Sequence, residues 1–590
     1  MDYLKTVVPS QLIGERGSNL VVINPGSANV RIGLASQQVP FNIPHCIARN
    51  VKGLDEGMKR AVKDQMLNSQ ATPAQQLERE KAYDIIASLL KIPFLDEEAA
   101  NNNFPRTIGR IDGYMPHSNR NDSTFTWTTV MERNPVSSSA IEDAQNDSLE
   151  TTSGHGKEPS SEEYKFKEFI CGEDALRISP VEPYCLCRPI RRGHFNVSQH
   201  YPSQQVCEDL YTIWDWILIE KLHIQPSDRN MYSAILVLPE TFDNREIKEM
   251  LSIVLRDLRF STAVVHQEGL AAAFGNGLST ACVVNIGAHI TTITCVEDGV
   301  ALPSTSMTLP YGGEDISRCL LWVQRHHQTW PSIQTDPMGK PIDMLMLNKI
   351  KESYCQIREG EFDAVAVVHS YEQDRPVGSH KTRLSSLNVP PMGLFYPTLF
   401  VKEEYPPPPR SWFHDYEDML EDTWHMEFSR RPDMPDGLYM TSNGAFSMWE
   451  NYPVFPTRSK KEENVGLAEA ISSSILSTAG RIDLQRKLFS SIQLIGGVAL
   501  TAGLVGTVEE RVLHAIPSNE AIDTVEVLQS RSDPQFVSWK GGAILGILDF
   551  GREAWIHRED WIRNGIPIGS GRKYKDSYFL QAQAMCYYNS

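Results

Sequence analysis

The stretch that decides the fold reads LVVINPGSANVRIGL, residues 20–34. Residues 20–23 are four consecutive large aliphatic residues, a run typical of a buried strand. Residues 24–27 (Asn-Pro-Gly-Ser) have the composition of a turn, and residues 30–34 predict a second strand. Two strands joined by a Gly/Ser turn fit a plain β-hairpin, or a loop that holds a phosphate with its backbone N–H groups. This stretch alone leaves both alternatives open.

The composition narrows the class of protein. The 590 residues fit about four domain-sized units, and apolar residues (41%) with charged residues (22%) exclude a wholly disordered or fibrous chain. No apolar run approaches the about 20 residues of a membrane span, and the N-terminus lacks a signal-peptide pattern. Ten scattered cysteines predict a reduced interior rather than a disulfide framework. A net charge of −18 argues against whole-surface binding to nucleic acid. We therefore expect a soluble, intracellular protein with several lobes.

Strands and helices alternate through most of the chain. Apolar runs predict strands, and amphipathic or small-residue segments between them predict helices. The predicted strands are 234–238, 262–266, 281–286 and 492–495, and the predicted helices are 210–222, 244–260, 269–274, 508–514 and 543–550. This alternation predicts an α/β fold whose strand ends face a cleft.

The first interruption of this pattern covers residues 51–165. Thr72 and Pro73 are a typical helix start, and Ala82, Ile85, Ile86, Leu89 and Leu90 then predict one apolar face. This helix either packs on its own domain or binds a partner. Residues 137–163 carry seven acids against one lysine and few large aliphatic residues, so we predict a disordered loop there.

The second interruption covers residues 365–464. It contains four prolines at 406–409, which predict a stiff polyproline segment, and three tryptophans, Trp412, Trp424 and Trp449. Aromatic residues beside such a segment favour a surface cover or a partner contact. Residues 458–461 (Arg-Ser-Lys-Lys) fit a short nuclear import signal or a chance basic cluster.

Three glycine-containing turns follow predicted strands in distant parts of the chain. They are Gly26-Ser27, the Asn285-Ile286-Gly287 segment and Gly496-Gly497. Glycine lets backbone N–H groups approach an anion without a Cβ in the way. One such turn is a weak signal, but three of them predict a nucleotide held between two lobes.

The order and spacing of these motifs resemble the actin family. Residues 24–33, 171–175, 189–193, 285–291, 351–352, 496–497, 539–542 and 555–556 all fall where that family has its characteristic segments. The resemblance implies an α/β, two-lobed ATPase fold of duplicated ribonuclease-H-like domains with two large insertions. It assigns residues 1–50, 166–300 and 551–590 to the first lobe, 301–364 and 465–550 to the second lobe, and 51–165 and 365–464 to the insertions.

The same resemblance implies a nucleotide site for ATP or ADP. Its residues are Gly26, Ser27, Ala28, Arg31, Asn285, Ile286, Gly287, Ala288, Lys351, Glu352, Gly496 and Gly497. Residues 295–300, 311–313 and 343–345, with the two insertions, are similar to the eighth class of actin-related proteins. That class implies a nuclear subunit of a chromatin-remodelling complex, with other actin-like subunits as partners and histones or DNA as further contacts. A cytoplasmic location stays open, and no membrane contact is expected.

The chain departs from the family's motifs at positions that the family uses for ATP hydrolysis. The family has an aspartate in each phosphate loop to order water around its metal, whereas this chain has the neutral amides Asn24 and Asn285. Thr292 replaces a histidine that assists hydrolysis, and Arg31 replaces a phosphate-binding lysine. We therefore expect a structural, nucleotide-binding protein with no catalytic residue and no metal ligand. The rivals are an ATPase or kinase-like enzyme on the same fold, and a cytoskeletal actin-like protein.

Several other residues admit two interpretations. Gln267 falls at the water-positioning glutamine of the family, or else caps a helix. His289 is a ligand or a solvated loop residue. A cluster of three arginines, Arg188, Arg191 and Arg192, either contacts DNA phosphates or pairs with acidic side chains. The closely spaced Cys185 and Cys187 lack the second pair of cysteines that a zinc site needs.

Overall fold

The structure is a computed structural model. It describes residues 14–50, 71–92, 167–178, 182–198, 201–331, 340–372, 375–401, 465–478, 481–518, 520, 522–549 and 554–564. Several predictions lie outside these residues: the acidic loop at 137–163, the proline segment at 406–409, the three tryptophans near it and the basic cluster at 458–461. None of the described helices is both long and apolar enough to cross a bilayer.

The described strands form two large sheets and three small ones. The strands are β1 (Leu20–Pro25), β2 (Asn29–Leu34), β3 (Phe41–Pro44), β4 (Ile47–Asn50), β5 (Phe169–Cys171), β6 (Tyr184–Cys187), β7 (Ile190–Arg191), β8 (His194–Phe195), β9 (Ser233–Leu238), β10 (Thr262–Gln267), β11 (Ala281–Ile286), β12 (Thr291–Glu297), β13 (Val300–Ala301), β14 (Met307–Leu309), β15 (Ala364–Glu372), β16 (Arg375–Leu384), β17 (Ile492–Ile495) and β18 (Ile556–His557).

The described helices lie mostly between these strands. They are α1 (Pro73–Leu89), α2 (Glu173–Leu176), α3 (Ser203–Glu220), α4 (Asn244–Ser252), α5 (Glu268–Asn276), α6 (Gly313–His326), α7 (Pro341–Tyr354), α8 (Val389–Met392), α9 (Leu467–Leu476), α10 (Ile482–Phe489), α11 (Leu504–Ala515), α12 (Val537–Ile547) and α13 (Arg558–Asn564). The helix predicted at 244–260 is shorter than expected, since its α-helical part ends at Ser252 and a π-helical turn, Ile253–Asp257, follows.

The first lobe is built on a six-stranded sheet with the order β18-β10-β9-β1-β2-β3. Strand β1 pairs antiparallel with β2 and parallel with β9, which in turn is parallel to β10. Val21 packs in the cluster that contains Trp214 of α3, whereas Val22 packs in the cluster that contains Trp539 of α12. Both faces of β1 are therefore covered, which explains why its sequence is continuously apolar rather than alternating.

The second lobe repeats this arrangement on a smaller sheet with the order β13-β12-β11-β17. Its first strand, β11, pairs antiparallel with the next strand, β12, and parallel with the distant β17. The duplicated α/β architecture expected from the sequence is thus confirmed. Strands β11 to β13 lie in this second sheet, so the predicted extension of the first lobe to residue 300 is too long. Helix α12 packs on β1 and β9 of the first lobe, so the predicted second lobe, ending at 550, also runs too far.

Two helices, α5 and α12, cross at very short range where the lobes meet. A Cβ on Gly541 of α12 would lie 1.5 Å from the backbone oxygen of Ala271 in α5. Glycine is therefore required here for close backbone approach rather than for a turn. Residues 539–542 were expected to precede a helix starting at residue 543, but they lie inside α12, which begins at Val537.

Helix α1 comes from the predicted first-lobe insertion, yet it packs on the second lobe. Thr72 and Gln75 form a reciprocal capping box at its start, and Pro73 is its first residue, as the sequence predicts. Tyr83 packs in the second-lobe core and its hydroxyl lies 2.7 Å from Nε2 of His327. The predicted apolar face is partly wrong, because Ile85 is 51% and Leu89 43% exposed. The strands before and after the insertion, β4 and β5, pair in a first-lobe sheet, whereas α1 packs on the other lobe.

The second predicted insertion begins later than residue 365. Strands β15 and β16 form a hairpin there, and the segment after it is buried. Val389, Met392 and Leu394 lie in the second-lobe core with 1% exposure or less. Residues 365–401 are therefore part of the lobe, because their apolar side chains fill its core.

Candidate functional site

A cavity of about 1990 Å³ separates the two lobes. Of the twelve predicted site residues, eleven line it: Gly26, Ser27, Ala28, Arg31, Asn285, Gly287, Ala288, Lys351, Glu352, Gly496 and Gly497. The side chain of Ile286 does not, because it is fully buried in the second-lobe core. Residues from distant parts of the sequence therefore meet at one concave site.

The loop between β1 and β2 forms one wall of the cavity. The N–H of Gly26 donates to the backbone oxygen of Asn29 at 2.9 Å, which closes the turn. His45 is fully buried beneath it, with Nδ1 2.8 Å from the oxygen of Gly26, while the Trp214 indole N–H donates to its Nε2 at 3.3 Å. Burial lowers the pKa of His45 to about 4, so the ring is neutral and donates through Nδ1. The sequence analysis missed this support, although a histidine directly after strand β3 is a visible signal.

The loop between β11 and β12 forms the opposite wall. The N–H of Gly287 donates to the oxygen of Ile290 at 3.0 Å, and the N–H of Gly313 at the start of α6 donates to the oxygen of Gly287 at 2.9 Å. Gly496 approaches this loop closely, since a Cβ there would lie 2.6 Å from Oδ1 of Asn285. Its φ of +89° also favours glycine. By contrast, a Cβ on Gly497 would meet nothing within 4 Å, so this residue borders open space.

At the floor of the cavity, three lining side chains (Arg31, Glu268 and Asn285) meet the buried side chain of Asn24. Asn24 and Arg31 are directly opposite each other in the β1–β2 pair, and Nη1 of Arg31 donates to Oδ1 of Asn24 at 3.3 Å. The amide nitrogen of Asn24 donates to Glu268 at 3.0 Å and to the backbone oxygen of Val237 at 2.9 Å. The side chain of Asn285 also hydrogen-bonds to Glu268. The two loops are thus joined through one carboxylate at the start of α5.

The charges of this cluster are strongly desolvated. Burial raises the pKa of Glu268, although the hydrogen bond from Asn24 and the positive charge of Arg31 oppose that shift. Burial likewise lowers the pKa of Arg31, with Glu268 acting in the opposite direction. The Nε of Arg31 is buried and has no hydrogen-bond partner among the described residues. A donor of this kind in a cavity wall is suited to an anionic ligand.

Glu268, not Gln267, reaches the cavity. Gln267 is the last residue of β10, is buried and does not line the cavity, whereas Glu268 does. Because successive residues at a strand–helix junction point in different directions, a shift of one position changes which side chain reaches the site. The signal in the sequence was the lone acidic residue that opens the small, apolar helix α5.

Arg192 joins the two lobes beside the second loop. It lies in the tight turn between β7 and β8, whose residues Ile190 and Phe195 pack in the first-lobe core. Its guanidinium donates to both carboxylate oxygens of Asp315 at 2.9 Å and to the backbone oxygen of His289 at 2.6 Å. These acceptors belong to the second lobe, so this arginine is used internally. Its φ of +49° is unusual for a residue other than glycine, so the backbone is strained where this contact is made.

His289 is buried rather than solvated, contrary to one of the two alternatives. It is 5% exposed and its Nε2 pairs with the carboxylate of Glu314. Burial acts to raise the pKa of Glu314, but His289 and Arg318 outweigh it and hold that pKa well below its usual value. The ring therefore supports the second loop from behind.

Lys351 and Glu352 lie at the second-lobe side of the cavity, on α7. The Nζ of Lys351 donates to the backbone oxygen of Gly313 at 2.9 Å, which links α7 to the start of α6. Glu352 is exposed, and its Oε2 lies 3.6 Å from Nζ of Lys349. Lys351 therefore has a structural contact, whereas Glu352 lines the cavity with an exposed side chain.

A scan of the whole chain against family models matches the actin family over residues 16–570. The chain belongs to the actin family. Among its relatives, actin-related protein 9 of Oryza sativa subsp. indica is 68% identical and covers all of both chains. Actin-related protein 9 of Arabidopsis thaliana is 60% identical over all of this chain and 98% of its own. Actin-related protein 8 of Bos taurus is 27% identical over 93% of this chain and 91% of its own.

A solved actin-family structure supports the same fold. Human actin-related protein Arp8 in its ATP-bound state superposes with a TM-score of 0.66 and 26% identity, covering 95% of this chain and 97% of that one. The sequence-based resemblance to the actin family and to its eighth class is thus confirmed. The described residues contain no group of three or more His, Cys, Asp or Glu side chains that could hold a metal ion.

Proposed function

We propose that this actin-family protein is a structural, nucleotide-binding subunit of a nuclear chromatin-remodelling complex, with little or no ATP hydrolysis. The observation that carries the nucleotide part is the interlobe cavity, where two glycine loops face each other and Arg31 has a buried, unused donor. The similarity to Arp8, solved in its ATP-bound state, supports ATP or ADP as the ligand.

The residues present fit the phosphates of a nucleotide. Residues 26–29 and 287–289 line the cavity, where the N–H of Gly26 and the N–H of Gly287 close the two turns that would surround the phosphates, and Arg31 would supply the positive charge. The open space beside Gly497 and the exposed carboxylate of Glu352 would face the nucleoside part. The bound nucleotide would supply a rigid anionic bridge between the lobes.

The chemistry of the floor argues against turnover. Hydrolysis of a phosphoanhydride needs a positioned water and stabilisation of the developing charge, which metal ions supply in many such enzymes. Here both loop carboxylates are replaced by amides, and Glu268 already accepts hydrogen bonds from Asn24 and Asn285. Thr292, which lines the cavity, has no proton-transfer function comparable to that of a histidine.

The alternative function, an ATPase or kinase-like enzyme on the same fold, would depend on Glu268. It is the carboxylate nearest in sequence to the family's catalytic position, and burial raises its pKa, as it does for many general bases. However, a general base must have a lone pair directed at the water, and the hydrogen bonds from two amides fix the orientation of this carboxylate and use two of its lone pairs. We therefore favour the binding function.

The nucleotide part is tested by equilibrium binding of ATP to the purified protein. We expect binding by the wild-type chain and a large loss in an Arg31→Gln variant, with an Asn19→Asp variant, exposed and outside the cavity, as the matched control. Wild-type protein that binds neither ATP nor ADP would refute the proposed ligand.

The complex and its location are proposed from the similarity to the eighth class of actin-related proteins. We expect the tagged chain, purified from nuclei, to carry a remodeller motor subunit and other actin-like proteins in fixed stoichiometry. Contacts with histones or DNA would follow from that assembly, because Arg192 is engaged within the protein. Recovery of the chain only from the cytoplasm, without such companions, contradicts this part.

A further inference from the structure

We propose that the cleft binds its nucleotide as the free anion, without a divalent cation. This inference rests on the proposed nucleotide binding and specifies how the phosphates are held. Its basis is the set of hydrogen bonds that the side chains at the floor of the cavity make with one another. These hydrogen bonds leave a donor of the Arg31 guanidinium for the ligand, but they leave no set of oxygen atoms to bind a metal ion.

The amides at the floor have fixed orientations. Asn24 accepts from Arg31 through Oδ1 and donates through Nδ2 to Glu268 and Val237. Turning this amide to offer its oxygen elsewhere would place its oxygen against the Glu268 carboxylate and its NH2 against the guanidinium. All three of these hydrogen bonds would be lost, and all three contacts would become repulsive, because the oxygen would also face the carbonyl oxygen of Val237. Asn24 is therefore unable to replace a carboxylate ligand.

The one carboxylate at the floor is also occupied. Glu268 is held by the side chains of Asn24 and Asn285, and Arg31 lies close enough to affect its pKa. Mg²⁺ prefers carboxylate and phosphate oxygens in octahedral geometry and keeps several waters. A hydrated ion would have to displace two amide NH2 groups and lie beside a guanidinium of the same charge sign.

No other carboxylate beside the second loop is available. Glu314 is paired with His289 and Arg318, and Asp315 is paired with Arg192 and caps the N–H of Gly312. The side chain of Ala288 has no ligand atom, and its backbone oxygen accepts from the N–H of Glu314 at 2.8 Å. Consequently, both of these acidic groups already have a cationic partner inside the protein.

Arg31 has the properties that a metal would otherwise supply. Its guanidinium lines the cavity, its Nη1 is fixed by Asn24, and its buried Nε has no partner among the described residues. A planar guanidinium can hold two phosphate oxygens at once. The negative charges of Glu268 and Asp533 both act on Arg31, and an anionic phosphate is a suitable acceptor for its remaining donor.

The test is calorimetric titration of the full chain with ATP, once in excess Mg²⁺ and once in EDTA. We expect the two dissociation constants to agree within about threefold, a small change on a scale where tenfold is 1.4 kcal/mol. Binding that weakens at least about tenfold in EDTA overturns the inference while leaving the proposed function intact. Failure to bind in both buffers refutes the proposed function itself.

A variant pair strengthens this test. The Asn24→Asp/Asn285→Asp double variant restores two carboxylates and should make binding depend on Mg²⁺ by about tenfold or more, whereas Asn19→Asp should behave as wild type. A double variant that folds, as judged by its melting curve, and still ignores Mg²⁺ contradicts the assignment of these amides. If it does not fold, the wild-type comparison decides alone.

Discussion

At the scale of single residues, the floor of the cleft shows how two neutral substitutions change a site. An amide has nearly the shape of a carboxylate but carries donors, so Asn24 and Asn285 turn toward Glu268 instead of repelling it. Two aspartates in their places would put three carboxylates around one buried point. The amides and Glu268 therefore form one compatible set, balanced by Arg31.

His45 gives a residue-scale prediction about pH. Its pKa is lowered to about 4 by burial, whereas in the unfolded chain it is near 6.5. Between these values the unfolded chain binds the additional proton, so the free energy of unfolding falls as pH decreases from 6.5 to 4. His266, also buried with a pKa of about 4, acts in the same direction.

We expect a His45→Gln variant to show a flatter pH dependence of stability in this window. Each pKa unit corresponds to about 1.4 kcal/mol, which urea unfolding at several pH values resolves. His223, which is exposed, provides the control variant His223→Gln. An equal slope in the His45 variant and the wild type would contradict the assignment.

At the scale of elements, the crossing of α5 and α12 depends on one glycine. A Cβ on Gly541 would lie 1.5 Å from the oxygen of Ala271, so Gly541→Ala must push the helices apart. We expect a loss of about 3 kcal/mol or more in the free energy of unfolding, since overpacking of a rigid contact is costly. Gly506→Ala in α11 is the matched control, because nothing lies within 4 Å of its added Cβ.

The control should be neutral or stabilise by up to about 1 kcal/mol through helix propensity. Thermal unfolding of both variants provides the comparison. Equal melting temperatures for Gly541→Ala and the wild type would show that the helices do not cross as closely as the structure places them.

The sequence predicted the individual strands and helices better than it predicted which parts of the molecule they pack against. Apolar runs and turn residues gave β1, β2, β9, β11 and β17, because buried strands need such composition in any context. The face of α1 was partly mispredicted, because its periodicity does not show that Tyr83 and the second lobe select a different side. The domain limits near residues 300 and 550 failed for the same reason: packing, not composition, assigns β11 and α12 to a lobe.

The sequence predicted the loops that line the candidate site, but not the side chains that hold these loops in place. Glycine turns after strands pointed to residues 26–28, 287–288 and 496–497, all of which line the cavity. Glu268 was missed because a one-residue shift at a strand–helix junction decides which side chain points inward. Arg192 was open to two interpretations, because its partner Asp315 is 123 residues away in the sequence.

At the scale of the whole molecule, Arg192 controls how firmly the lobes are joined. Removing its guanidinium takes the bidentate partner from the buried carboxylate of Asp315, which keeps its helix-cap contact at Gly312. We expect Arg192→Ala to speed release of bound nucleotide by about tenfold, since charge-assisted hydrogen bonds contribute about 1.5–3 kcal/mol. Stopped-flow displacement of a fluorescent ATP analogue measures this rate.

Arg192→Lys is the informative comparison for that experiment. Lysine keeps the charge but loses the bidentate contact, so its release rate should fall between those of the wild type and the alanine variant. Release rates that are the same in all three proteins would show that this contact does not limit opening of the cleft.

The insertions bear on whether the protein polymerises in solution. One of them places α1 against the second lobe through Tyr83 and Arg79, whose guanidinium lies 4.3 Å from the centroid of the Trp322 ring. Surface covered in this way is not available to a neighbouring subunit. We expect the protein to remain monomeric in salt conditions that polymerise actin, and sedimentation into salt-induced polymers would contradict this.

The central claim, nucleotide binding without turnover, is tested most directly by a single-turnover experiment. Excess protein is mixed with ATP labelled on its γ-phosphate in the presence of Mg²⁺, and the bound label is followed by chromatography. The structure predicts that the label stays on protein-bound ATP over many hours, and that an Arg31→Gln variant fails to retain it. Rapid release of labelled phosphate by the wild-type chain, abolished in that variant, would contradict the account.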